Sequence, residues 1–189
     1  NAKWASACQV SLVRVEKGLV KETWVSYICP EQEHQSLGNI QYGKHKIPQD
    51  VYLSAPNLSE LWPSIQSFIG DLPLVAHNAQ FDVGVLNQSL ESWDLPRSNF
   101  ETICSQKLAM ALIPEPPHTL KALTSRFSIP LENHHDAKSD ALACALLTIA
   151  LAEFASLESV DQMKKFATYK SGTGNQRSTT ASPLPQISN

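Results

Sequence analysis

The sequence predicts an α/β domain, a mixed β-sheet flanked by helices. Three features carry that expectation. The chain opens on a β-hairpin pattern; short apolar strand-like runs then alternate with segments of helical periodicity; a long apolar helix follows. With 189 residues, 42% of them hydrophobic, the chain can bury a core of ordinary domain size.

Residues 5–15 and 19–29 read as the two hairpin strands, joined at Glu16-Lys17-Gly18. Val10, Leu12 and Arg14 share one face of the first strand, and Val13 and Val15 share the other. Pro30 ends the pair. Residues 31–56 are polar, with Gly, Pro and Asn, and read as a long excursion of the kind that often carries function. Its one basic patch is Lys44-His45-Lys46, beside Tyr42 and Gly43. A solvated charge run is the plain reading there, and a nucleic-acid contact the other.

Leu58, Leu61, Trp62, Ile65 and Ile69 keep helical spacing, so a helix starts close to Ser59, with Pro63 near its start, and runs to about Gly70. Leu74-Val75-Ala76-His77 is a short buried strand. Asn78-Ala79-Gln80 turns the chain into a helix over 81–92. Residues 100–104 form another short strand, and Ser105 is the expected cap of a helix over 106–113 that Pro114, Pro116 and Pro117 break. A short helix over 119–127 and Ile129-Pro130 then lead into Asn133-His134-His135-Asp136-Ala137-Lys138-Ser139-Asp140.

That last stretch organises the reading. Asp136 is a good N-cap, because a short carboxylate accepts the orphan amide hydrogens of a first helical turn. His135 then lies on the loop and Asp140 just inside the helix. A loop histidine can swing, whereas a helical carboxylate is fixed, which suits a mobile proton acceptor beside a rigid metal ligand. The bland alternative is a capping Asp136, a surface His135 and a solvated Asp140. The helix behind, through residue 155, is nearly apolar all round and should be buried on more than one side. A carboxylate at its edge then needs a cation or a metal.

Asp82 forms a second acidic position. It follows the strand 74–77 at the start of the next helix, where ligands of α/β sheets gather and the positive helix end favours an ionised carboxylate. Read blandly, Asp82 only compensates the helix dipole, Asn78 is a turn residue that tolerates left-handed backbone, and His77 is a packed histidine.

The net charge is −3, from 18 acidic and 15 basic side chains. No broad basic face for wrapping long duplex DNA is expected, though a protein that grips a strand end does not need one. Cys8, Cys29, Cys104 and Cys144 are scattered without a C-x-x-C, and read as buried free thiols of a reducing, cytoplasmic compartment. No signal peptide and no membrane-span run is visible, so no membrane partner is expected. Residue 1 is Asn rather than Met, so the chain reads as processed or cut.

Leu74-Val75-Ala76-His77-Asn78-Ala79-Gln80-Phe81-Asp82 resembles the second motif of the DnaQ-like, DEDDh 3′–5′ exonucleases. His135-Asp136-Ala137-Lys138-Ser139-Asp140-Ala141 resembles their third, and His118-Thr119-Leu120-Lys121-Ala122-Leu123 with Ile129-Pro130-Leu131 looks like the usual approach to it. The likeness covers residues 5–155. The family includes the proofreading ε subunit of DNA polymerase III, ribonuclease T-type enzymes and oligoribonucleases.

The resemblance implies a ribonuclease-H-like sheet of strand order 3-2-1-4-5 and two-metal hydrolysis of phosphodiesters at a 3′ end. Two divalent cations, Mg²⁺ or Mn²⁺, are implied, with Asp140 a direct ligand, Asp82 a supporting one and His135 the general base. Histidine suits that role as the residue type that ordinarily titrates near neutrality. The implied partners are a single-stranded 3′ end, DNA ahead of RNA, and a DNA polymerase; the oligomeric state stays open. One departure stands out. The family's first motif, Asp-x-Glu on the first strand, has no match here, so the chain reads as beginning after that strand and as inactive by itself. On this reading residues 1–156 form the exonuclease domain, and residues 157–189 a disordered polar tail or linker, 157–169 containing a short polar helix. The alternative is an exonuclease-like fold that has lost catalysis and only holds a strand end or a polymerase.

Overall fold

A computed structural model describes residues 7–32 and 47–169 of the chain. Lys44-His45-Lys46 and residues 170–189 lie outside the described residues. The hairpin forms as expected, from β1 (Gln9–Glu16) antiparallel to β2 (Leu19–Tyr27), with Leu12 opposite Trp24. Lys17 and Gly18 both take positive φ, at 51° and 73°, the geometry in which a two-residue turn matches the right-handed twist of its strands. Val10, Leu12 and Trp24 pack toward the next long helix, and the Arg14 guanidinium lies over the Phe68 ring while donating to the Phe68 carbonyl.

Among its described residues the excursion holds an unforeseen element, the short helix α1 (Gln49–Leu53), which buries Tyr52 against Cys8 and Ile47. α2 (Leu58–Ile69) starts one residue earlier than expected, because Asn57 forms a complete capping box with Glu60. Leu58, Trp62, Ile65 and Ile69 form its buried stripe, facing Ile28 and Leu90. β3 (Leu74–Ala76), α3 (Ala79–Ser92), β4 (Thr102–Cys104), α4 (Ser105–Leu112), α5 (Leu120–Arg126) and α6 (Ala137–Phe154) follow in the predicted order.

β3 and β4 run parallel. Among the described residues this parallel pair and the hairpin belong to separate sheets. α6 spans the two, packing on β1 and β2 of one sheet and β3 of the other. It buries Ala143, Cys144, Leu147, Thr148, Leu151 and Ala152, as a helix without a polar face must.

Three expectations change. Ser105 does not cap α4: Cys104 holds that position, without a side-chain cap bond, and the Ser105 hydroxyl turns inward. Cys29 is half-buried, unlike the other three thiols. Residues 157–169 hold the short helix expected there, but it is packed on the core rather than part of a tail. α7 (Val160–Ala167) sets Met163, Phe166 and Ala167 against the core around α6, and β5 (Thr168–Tyr169) adds an antiparallel strand to β4. Charged neighbours disguise that apolar stripe, and a two-residue strand shows no alternation to read.

The bridging role of α6 predicts an asymmetry between two of its leucines. Leu147 is fully buried and Leu142 is 38% exposed. Leu147→Ala should lower unfolding stability by about 2–5 kcal/mol through lost transfer energy and a cavity. Leu142→Ala should cost well under half as much; equal losses in denaturant unfolding would refute α6 as the central support.

Candidate active site

The site lies where the carboxyl end of β3 meets the amino end of α6. On the β3 side, Asn78 takes left-handed backbone, φ 66° and ψ 48°, and turns the chain sharply into α3. His77 is held at both ring nitrogens, at 3.0 Å from the Ser105 hydroxyl and 3.0 Å from the His118 carbonyl. It is a packed histidine. Burial lowers its pKa, outweighing the bond to the His118 carbonyl, and the charge of His118 lowers it further. A carbonyl only accepts, so Nε2 donates to His118 and neutral Nδ1 accepts from Ser105. The Ser105 oxygen also lies 3.5 Å from the Cys144 sulfur on α6.

Asp82 stands in the first turn of α3. The helix end was expected to favour its ionised form, and the balance goes the other way. Crowding by protein pushes its pKa up to about 6; its own backbone N–H pulls it down, and the negative charge of Asp140 adds to the rise. Part of the residue still faces solvent, so the carboxyl is in reach of a ligand. The negative charge of Asp140 near the Asp82 carboxyl makes an acidic pair, the donor chemistry that hard divalent cations select.

On the α6 side, Asp136 is the N-cap. One of its oxygens accepts the Ser139 N–H at 2.9 Å and the other accepts the Gln9 amide at 3.1 Å. The Gln9 carbonyl oxygen takes the Ala137 N–H at 3.1 Å, so β1 clasps the helix start from both directions. Burial pushes the Asp136 pKa up, but the bonds from Ser139, Gln9 and Lys138 together hold it below the usual carboxylate range.

Asp140 sits in the first turn of α6 with both oxygens engaged by the preceding loop. Oδ1 accepts from His134 Nδ1 at 2.9 Å, and Oδ2 accepts the His135 backbone N–H at 3.1 Å. His135 has left-handed φ, 80°, and its ring stacks on that of His134 with centroids 4.0 Å apart. His135 and Asp140 are thus brought together, and Asp82 is set opposite Asp140, outside the tight His134–His135–Asp140 cluster. Sequence spacing passed over His134, which is one residue too far from Asp140 for the motif. The signal was its Nδ1, which reaches back to a first-turn carboxylate as capping groups do.

The clasp at Asp136 makes a pH-dependent prediction. A carboxyl whose pKa is lower folded than unfolded stabilises the fold above its unfolded value, about 4, and loses that contribution as pH falls through its folded pKa. Asp136→Ala should therefore cost about 0.5–2 kcal/mol at neutral pH, and the gap to the parent should close in acid. A gap that widened on acidification would refute the clasp.

Comparison with known proteins supplies context. A family model described as an exonuclease, RNase_T, matches residues 3–148. The PolC-type DNA polymerase III of Streptococcus pneumoniae serotype 2 (strain D39 / NCTC 7466) is 35% identical over 167 residues, 87% of this chain and 11% of that protein. The Bacillus cereus PolC-type polymerase is 29% identical over 152 residues, 80% of this chain and 10% of that protein. The chain thus spans about a tenth of the length of these curated relatives. Among solved structures, exonuclease X in complex with 5′ overhanging duplex DNA superposes with a TM-score of 0.69 at 23% identity, covering 84% of this chain and 89% of that one. The nuclease domain of 3′hExo, a DEDDh family member bound to rAMP, gives 0.65 at 13% identity, covering 78% and 92%. These neighbours are ribonuclease-H-like exonucleases, so the fold class read from the sequence stands.

Proposed function

Because this chain belongs to the RNase_T exonuclease family, we propose that it is the nuclease part of a metal-dependent 3′–5′ exonuclease acting on DNA ends. The observation that carries the reading is the placement of Asp82 near Asp140, whose negative charge adds to the cost of ionising Asp82, beside a loop histidine. Asp140 and Asp82 are the groups that would hold divalent ions, Mg²⁺ or Mn²⁺. When bound, two such ions neutralise the phosphate and stabilise the attacking and leaving oxygens.

The chain's own residues supply the rest. His135 is exposed on its loop and takes the proton from the attacking water as the water oxygen bonds to phosphorus and the leaving sugar oxygen departs. Asp140 orients the base by accepting the His135 backbone N–H, and the Gln9–Asp136 clasp fixes the helix end that carries both groups. The similarity to PolC-type polymerases supports a DNA polymerase as the working context, with a free 3′ end as substrate. The modest net charge supports a grip on only a few phosphates, hence a shallow salt dependence of binding.

No Asp-x-Glu occurs in the 189 residues, so on this reading these residues alone offer too few site carboxylates for two ions. We expect it to be a poor nuclease, and a form extended upstream by a strand bearing Asp-x-Glu to be active. In that active form, His135→Ala should lower kcat about 10²–10⁴-fold, with little change in substrate binding. Asp140→Asn and chelation should abolish turnover. A 3′ block should stop digestion and a 5′ block should not. Activity that persisted in chelator, or efficient cutting of a circular single strand, would rule the reading out. An inactive extended form that still bound 3′ ends would instead favour a binding module.

A further inference from the structure

The loop before α6 sets two imidazoles beside Asp140, one member of the acidic pair. His134, His135 and Asp140 each offer one ligand atom, and these atoms all lie within 4.8 Å of one another. We propose that His134, His135 and Asp140 form a site for a borderline transition-metal ion, Zn²⁺ in particular, which shares Asp140 with the site proposed for Mg²⁺ or Mn²⁺ but differs from it in chemistry.

The donor set selects the ion. Mg²⁺ takes oxygen ligands, keeps several waters and demands octahedral order, whereas imidazole nitrogens suit Zn²⁺. Two imidazoles and one carboxylate with an open fourth position is a recurrent zinc set. The spacing is already close. Ligands on tetrahedral zinc lie about 2.0–2.1 Å from the ion, which puts neighbouring donors about 3.3 Å apart. His134 Nδ1 and Asp140 Oδ1 stand 2.9 Å apart, now joined by a hydrogen that an ion would replace, that hydrogen passing to Nε2 or to solvent. His135 is stacked on the same ring, so its nitrogen needs only a small swing to reach the same point. Asp140 is fixed by the first turn of α6, and both histidines are exposed, so an ion can enter without unfolding the loop.

The consequence for turnover rests on the reading of His135 as the base. Zn²⁺ would then inhibit, by tying up His135 and one Asp140 oxygen together. Binding itself does not depend on that reading, and it is what the test measures.

The chain would be titrated with Zn²⁺ alone, following imidazole ¹⁵N signals, with affinity taken from competition against a chromogenic chelator. The His134 and His135 ring signals should shift together while those of His77 and His118 stay in place. Loss of a mere outer-shell partner already costs about 10–100-fold in metal affinity, so His134→Ala and His134→Asn should each weaken Zn²⁺ at least tenfold. Neither variant should weaken Mg²⁺ binding, since His134 is no ligand of that ion. Parental Zn²⁺ affinity in both variants, or unmoved His134 and His135 signals while Zn²⁺ is taken up elsewhere, would overturn the site. If the ring shifts occurred but His135→Ala proved fully active in the extended form, the site would stand and the base assignment would fall.

Discussion

The burial of α6 is the constraint on which the rest of the structure depends. An eighteen-residue helix without a polar face cannot lie on a surface, and it is held between β1 and β2 on one side and β3 on the other. Its position determines where Asp140 points, how close Asp82 comes to it, and where the histidine loop must end. The clasp of Gln9 on Asp136 and Ala137 converts that packing into a fixed register, because a side-chain amide that both donates and accepts admits little sliding. The site thus inherits its geometry from a core helix, a more precise support than a loop.

The electrostatics follow from the same placement. A carboxylate in the first turn of a helix is ordinarily favoured in its charged form. Asp82 is pushed up to about 6 instead, since desolvation and the charge of Asp140 exceed what its own backbone N–H returns. Asp136, also at a helix start, is held low because its oxygens accept several hydrogen bonds. Two acids in similar local positions therefore diverge according to what faces them, one satisfied by hydrogen-bond donors and one crowded by protein and by a second carboxylate.

Much of this was legible in the residues. The hairpin turn, the strand before His77, the cap at Asp136 and the all-apolar helix follow from local rules of propensity and period, and each was found within a few residues of its expected place. The left-handed Asn78 and the packed His77 were also visible, as turn and strand-end chemistry. What escaped was set by partners distant in sequence. Ser105 has the chemistry of a cap, yet its hydroxyl serves His77, 28 residues away. The helix Val160–Ala167 and strand Thr168–Tyr169 gain their place from β4 and the core around α6, which no local pattern reports. His134 lies one residue outside the motif spacing, and its bond to Asp140 is decided by the loop's fold rather than by counting residues.

The buried chain from His77 to α6 gives the two acids a common support. His77 ends the segment that leads into α3 and Asp82, and its ring accepts the Ser105 hydroxyl hydrogen, the shorter of that hydroxyl's two options at 3.0 Å against 3.4 Å to the Ala76 carbonyl. The Ser105 oxygen is then free to accept from the Cys144 thiol, four residues after Asp140 and on the same face of α6. Gln106 donates to the same His118 carbonyl that His77 uses, and His118 is itself tied by Nε2 to the Ile113 carbonyl. Strand end, helix start, loop and long helix are therefore joined by directional bonds in a partly buried network, where such bonds are stronger than in water. A shift of α6 along its axis would break the Cys144 contact beneath the site as well as the Gln9 clasp beside it. The separation of Asp82 and Asp140, on which any shared cation would depend, is thus fixed at two points rather than by the acids themselves, which repel.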